Sequence, residues 1–142
     1  MAGLDILLVE DSPYDAELVL AALKKCEFAN HIQVVHDGEE LLEFVYATGA
    51  YASRNSDIQP KVIFLDIKLP MIDGFEVLKR LKSDEKTQSI PIVILTSSEA
   101  EKDIETCYQL GANSYLVKPM DFTTLIQFIH QVAHYWVVFN AR

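Results

Sequence analysis

The chain has 142 residues, half of them hydrophobic, with 21 acidic and 12 basic side chains and a formal net charge of −9. That length gives one domain able to bury a real core. An acidic chain without basic clusters argues against binding to nucleic acid or to anionic membranes, and no apolar run approaches a membrane span.

The N-terminus lacks a basic-then-apolar signal pattern, and Cys26 and Cys107 both lie in helix-like stretches. The expectation is a soluble, cytoplasmic protein with two buried, reduced thiols.

In chain order, five short apolar runs recur: Ile6–Val9, Ile32–Val35, Val62–Leu65, and residues 92–95 and 115–117. Continuous rather than alternating apolarity predicts strands covered on both faces, hence a parallel sheet. Helix-like segments separate the runs, each opened by a start signal. Ser12 precedes Pro13, a favoured first helical residue. Asp37 and Glu40, Asp73 and Glu76, and Ser98 and Glu101 have capping-box spacing; Asp121 can cap the last helix, and Gly111 stops the one before it. Five strand–helix pairs in strict alternation predict an α/β fold with right-handed crossovers. Residues 48–59 show no clear period and are expected to form an extended loop before the third strand. No repeat or linker divides the chain, so residues 1–142 are expected to be a single domain.

The chemistry is concentrated at the strand ends. Glu10 and Asp11 follow the first run, Asp66 the third, Thr96 the fourth, and Lys118-Pro119 the fifth. In a doubly wound sheet, ligands bind beyond the carboxyl ends of the strands at the topological switch point. In a flavodoxin-like order 2-1-3-4-5 these residues meet there. Carboxylates crowded together repel: one pair about 4 Å apart costs roughly 4 kcal/mol at an effective dielectric near 20. A hard divalent cation and a lysine are the natural compensation, which points to phosphoryl chemistry. Each residue alone has a plainer reading, as a turn former, a helix cap or a surface lysine; the ordered set is what carries the argument.

At these residues the chain resembles the receiver domains of two-component response regulators. The features that carry the likeness are Glu10-Asp11, Leu65-Asp66 with Leu69-Pro70 and Asp73-Gly74, Thr96-Ser97, and Lys118-Pro119. The resemblance implies a flavodoxin-like (βα)5 doubly wound sheet without an output domain. It implies that Asp66 is the phosphoacceptor. It further implies that Asp11, Asp66 and the backbone carbonyl of Lys68 hold Mg²⁺, with Glu10 acting through a metal-bound water. Lys118 would meet the transferring phosphoryl oxygens, Thr96 would donate a hydroxyl, and a cis bond before Pro119 would aim the lysine. Tyr115 falls where the family has a switch aromatic, so the face of the fourth helix, fifth strand and fifth helix would be the output surface. The donor implied is a sensor histidine kinase. The chain would catalyse only its own phosphorylation and dephosphorylation and would not be an enzyme in the ordinary sense.

The C-terminal segment continues apolar past the core stripe of Phe122, Leu125, Ile126, Ile129, Val132 and Ala133. Trp136, Val137 and Phe139 are expected to form a homodimer contact. The ending His134-Tyr135-Trp136, the long loop before the third strand and the Glu10-Asp11-Ser12-Pro13 start are similar to the stand-alone regulators paired with cyanobacterial-type phytochrome kinases. His130 and His134 share a helix face without a third ligand and are read as solvated residues. Two rival functions use the same nucleophile. One is a relay that passes the phosphoryl group to a histidine phosphotransfer protein. The other is an aspartyl phosphatase, which would want an acid where this chain has Lys68.

Overall fold

The computed structural model describes residues 4–26 and 31–141. Five parallel strands form one sheet in the order 2-1-3-4-5: β1 (Ile6–Val9), β2 (Ile32–Val35), β3 (Val62–Leu65), β4 (Ile92–Thr96) and β5 (Ser114–Val117). The register runs Ile6 to Val62 and Val9 to Leu65 between β1 and β3, and Thr96 to Val117 between β4 and β5. The strand ends are therefore nearly level, and the residues after them emerge at one edge.

The unbroken apolar runs have a direct physical cause. Successive side chains of a strand point to opposite faces, and here both faces are covered. Leu7, Val9, Ile63, Leu65, Ile92 and Ile94 pack on one side with residues of α2 (Gly38–Tyr46), α3 (Gly74–Ser83) and α4 (Glu101–Gln109). Ile6, Leu8, Val62, Phe64, Val93 and Leu95 pack on the other with α1 (Pro13–Lys24) and α5 (Phe122–His134). Cys26 and Cys107 are both buried free thiols, their pKa values raised by burial. Among the described residues no helix is long and apolar enough to cross a membrane.

Four of the five helix starts follow the expected caps. Ser12, Asp37, Asp73 and Asp121 each accept a backbone N–H from the third residue on. Helix α4 differs. Its N-cap is Ala100, with no side-chain cap, and Ser98 Oγ instead donates to Asp103 Oδ2 at 2.6 Å. Ser98 still accepts the N–H of Ala100 at 3.3 Å, so its hydroxyl organises the turn before the helix rather than the helix itself. Gly111 ends α4 at φ +105°, a conformation that only glycine adopts without strain. The peptide before Pro119 is trans, since the described backbone contains no cis bond. The cis expectation is therefore corrected; trans is the lower-energy isomer of an X-Pro bond by about 0.5–1 kcal/mol.

The stretch before β3 is more ordered than its aperiodic sequence suggests. It contains a 3-10 turn, Gly49–Tyr51. Arg54 then ties it down: Nε donates to the Phe44 carbonyl and Nη1 to the Ile58 carbonyl, both at 2.8 Å, and the guanidinium sits 4.0 Å above the Phe44 ring. Tyr51 closes the turn by donating to Glu40 Oε2 at 2.6 Å. One planar cation thus replaces a hydrophobic period as the organising element. Arg54→Ala is expected to lower stability by about 2–3 kcal/mol, because two charge-assisted bonds and a cation–π contact are lost. The urea midpoint should fall at unchanged m-value. Arg54→Lys should recover less than half, since a point charge cannot serve both carbonyls.

Candidate functional site

Lys118 is the hub of the level strand ends. Its backbone N–H is held by the Thr96 carbonyl at 2.7 Å, which fixes the residue beside the end of β4. From there Nζ reaches Glu10 Oε1 at 2.5 Å, Asp66 Oδ2 at 3.1 Å and Asp15 Oδ2 at 3.2 Å. Glu10 and Asp66 are buried, with side chains 2% and 9% exposed. Asp66 Oδ1 also accepts the N–H of Lys68 at 2.9 Å, which orients the carboxylate. Glu10 Oε2 accepts from the Ser12 N–H at 3.3 Å.

Electrostatics follow from this burial. Loss of solvent pushes the Glu10 carboxyl up to about 7, although the Lys118 ammonium pulls the other way; the nearby Asp66 charge adds to the rise. Burial alone would lower the Lys118 ammonium. Its bond to Glu10 and the charges of Asp66 and Glu10 outweigh that, and its pKa is raised. Lys118 is thus a permanent cation at neutral pH, facing more negative charge than it can balance.

Gly74 sets the distance between α3 and the Asp66 loop. A Cβ there would lie 2.4 Å from Ile67 Cα and 2.8 Å from the Asp66 carbonyl oxygen. Its N–H instead donates to the Ile67 carbonyl at 3.0 Å. The Asp73-Gly74 pair therefore has a mechanical role: one residue caps the helix and the next lets it press against the loop.

The remaining sequence-predicted residues are distributed around this hub. Asp11 is exposed, while Glu10 before it points inward, as neighbours at a strand end do. The third carboxylate on Lys118 is that of Asp15, in the first turn of α1, which sequence reasoning missed. It stands in the first turn of a helix that starts beside the end of β1, a position that by itself reads as a complement to the helix dipole. Thr96 is fully buried, and among the described residues its Oγ1 accepts only a long contact, 3.5 Å, from the Ser98 N–H. Tyr115 is half-buried against the α2–α4 side of the core, with its hydroxyl donating to the Ser98 carbonyl at 3.0 Å. Lys68 is exposed, and Pro119 is half-buried beside a groove lined by Tyr14, Asp15 and Lys118. At the C-terminus, Val137 turns into the core and Trp136 packs partly against it, whereas Phe139 is 67% exposed beside Tyr135 and Val138. The segment ends in a π turn, Tyr135–Phe139, closed by the Asn140 N–H on the Tyr135 carbonyl at 2.7 Å.

Among the described residues no three carboxylate, imidazole or thiol groups gather as metal ligands. His130 and His134 lie with ring centroids 5.8 Å apart, and His134 packs edge-on against Phe139 at 4.6 Å. The carboxyl ends of β1 and β3 nonetheless offer an oxygen-only donor set with excess negative charge. That suits a hard cation such as Mg²⁺, which takes one or two protein carboxylates and completes its shell with carbonyl oxygen, water and phosphate.

Comparison with known proteins identifies the family. The sequence profile of the response regulator receiver domain matches residues 6–130. Response regulator Rcp1 of Synechocystis sp. is 36% identical over 132 residues, covering 93% of this chain and 88% of the relative. The crystal structure of the phosphorylated cyanobacterial phytochrome response regulator RcpA superposes with a TM-score of 0.89 at 34% identity, over 99% of this chain and 98% of that one. The Mn²⁺-bound form of Rcp1 gives 0.88 at 32% identity, with the same coverage of both chains. The bacteriophytochrome response regulator AtBRR gives 0.80 at 42% identity, covering 100% of this chain and 98% of that one. With Asp66 and Lys118 joined at the carboxyl edge of a 2-1-3-4-5 sheet and the family profile spanning most of its length, the chain belongs to the response regulator receiver domains of two-component signalling.

Proposed function

We propose that the protein accepts a phosphoryl group on Asp66 from a phosphohistidine of a phytochrome-type sensor histidine kinase. The observation that carries this reading is the Lys118–Asp66 contact at 3.1 Å, with Glu10 on the same ammonium. Asp66 Oδ forms a bond to phosphorus as the P–N bond of the donor breaks, and the electron pair of that bond stays on the imidazole. Lys118 turns an N–H toward a phosphoryl oxygen. Thr96, whose hydroxyl oxygen accepts a long contact from the Ser98 N–H, donates to another. Little covalent work is asked of the protein; positioning and charge neutralisation lower the barrier. Asp11, Asp66 and the Lys68 carbonyl would hold Mg²⁺, with Glu10 reaching it through water. When bound, that ion supplies positive charge to the phosphoryl oxygens. The kinase type is supported by the likeness to phytochrome and bacteriophytochrome regulators.

Phosphorylation replaces one negative charge with about two. As Thr96 follows the new oxygens, the half-buried Tyr115 turns inward into the space released. Its bond to the Ser98 carbonyl, and that of Ser98 to Asp103, join β5 to the start of α4. The α4–β5–α5 face thereby becomes the output surface, a two-state element biased by a local charge change.

At the far end of α5, Trp136, Val137 and Phe139 form the homodimer contact. Phe139 with its exposed neighbours Tyr135 and Val138 supplies the contact area, and Val137 and Trp136 support it from beneath. Exposed apolar clusters of this kind mark contact sites.

Two measurements check these assignments. Incubation with acetyl phosphate and Mg²⁺, followed by intact mass, should show one phosphoryl adduct in the wild type and none in Asp66→Asn. Steady turnover of phosphate esters without an adduct would instead identify a phosphatase. In sedimentation velocity the wild type should run as a dimer and Phe139→Asp as a folded monomer, with Trp136→Ala weakened. An unchanged oligomeric state in both variants would remove the C-terminal contact.

A further inference from the structure

We propose that Asp15 is a positioning residue that slows phosphoryl acceptance by competing with the incoming phosphoryl group for the Lys118 ammonium. The inference rests on Asp66 being the phosphoacceptor. An ammonium has three N–H donors. Lys118 Nζ lies within hydrogen-bond distance of three carboxylates, those of Glu10, Asp66 and Asp15. Before the P–O bond to Asp66 forms, an incoming phosphoryl oxygen can gain a bond from this lysine only if one carboxylate yields.

The three are not equivalent. The Glu10 and Asp66 side chains are 2% and 9% exposed, while that of Asp15 is 40% exposed. A carboxylate already in contact with water loses least when its partner leaves, so the Asp15 bond gives way. Asp15 also lines, with Tyr14, Ser97, Lys118 and Met120, an open groove of about 280 Å³ beside the ammonium. A phosphodonor brings negative charge to this rim, and the Asp15 carboxylate repels it. Competition and repulsion act in the same direction. With acetyl phosphate, Asp66 Oδ forms the new P–O bond while the acyl O–P bond breaks and its electron pair leaves with acetate. In the same event Lys118 moves one N–H from Asp15 to a phosphoryl oxygen.

The carboxylate can be removed without disturbing the helix cap. Ser12 Oγ accepts the backbone N–H of residue 15 at 3.3 Å, a bond that any side chain preserves. Asp15 also complements the positive end of α1. That effect belongs to stability and is read separately from the melting curve.

The test compares wild type, Asp15→Asn and Asp15→Glu as full chains, below the melting range of each. The rate of adduct formation on Asp66 with acetyl phosphate and Mg²⁺ is followed by intact mass at low and high ionic strength. Asp15→Asn should react about threefold faster at low salt, the size of effect an exposed ion pair can have. The gain should shrink at high salt, and Asp15→Glu should react at the wild-type rate. If wild type is phosphorylated but Asp15→Asn is no faster, or Asp15→Glu is as fast as Asp15→Asn, the proposal is overturned. If wild type takes up no phosphoryl group, the phosphoacceptor reading itself fails.

Discussion

One lysine ammonium holds together carboxylates that would otherwise repel. Lys118 starts at the end of β5 and reaches Asp66 after β3 and Glu10 after β1. Neighbouring strands are about 4.8 Å apart, and β4 lies between β5 and β3. Only a long side chain crosses that interval, and the four-carbon stem of lysine does so while carrying its charge at the tip. The level register makes the crossing possible. A sheet with staggered strand ends would leave the ammonium above one carboxylate and out of reach of the other.

The charge balance of this arrangement is incomplete by design of its parts. One ammonium faces Glu10, Asp66 and Asp15, and burial pushes Glu10 up to about 7. Well-packed apolar residues of the same volume are often as stable as a buried ion pair, because the pair must repay its desolvation. The stability of the domain comes instead from the two apolar layers on either side of the sheet. The strand ends are thereby free to carry a polar cluster whose arrangement serves ligand chemistry rather than folding.

Much of this was legible in the sequence because the fold and the site use signals of short range. The strands appear as unbroken Val- and Ile-rich runs since both faces of each are buried, and the same alternation assigns Leu7 and Leu8 to opposite cores. Asp66 and Lys118 stand immediately after such runs, so locating the strands locates the site. Three things were less legible. Asp15 lies on a helix, where no strand-end rule applies, and only its three-dimensional approach to Lys118 reveals it. Ser98 has the spacing of a capping box, but the helix starts two residues later, after Ala100, so its hydroxyl accepts the Ala100 N–H and donates to Asp103 instead of capping. The order of residues 48–59 depends on Arg54 contacting carbonyls on both sides of it in sequence, and such contacts leave no periodic trace.

The C-terminal turn shows the same limit of periodic reasoning in a form that bears on recognition. Continuing α5 with 3.6 residues per turn, the stripe Leu125, Ile129, Ala133 carries naturally to the fourth residue on, Val137, which is buried. A sequence of four consecutive apolar residues, however, cannot all follow that stripe. The π turn closes the segment on Asn140, with Val137 inward and Phe139 outward. The division is forced by geometry: a single helix end can bury one face only. The aromatic ring left outside is therefore a consequence of how the chain terminates its core, and any partner that covers it gains apolar area without disturbing the packing beneath.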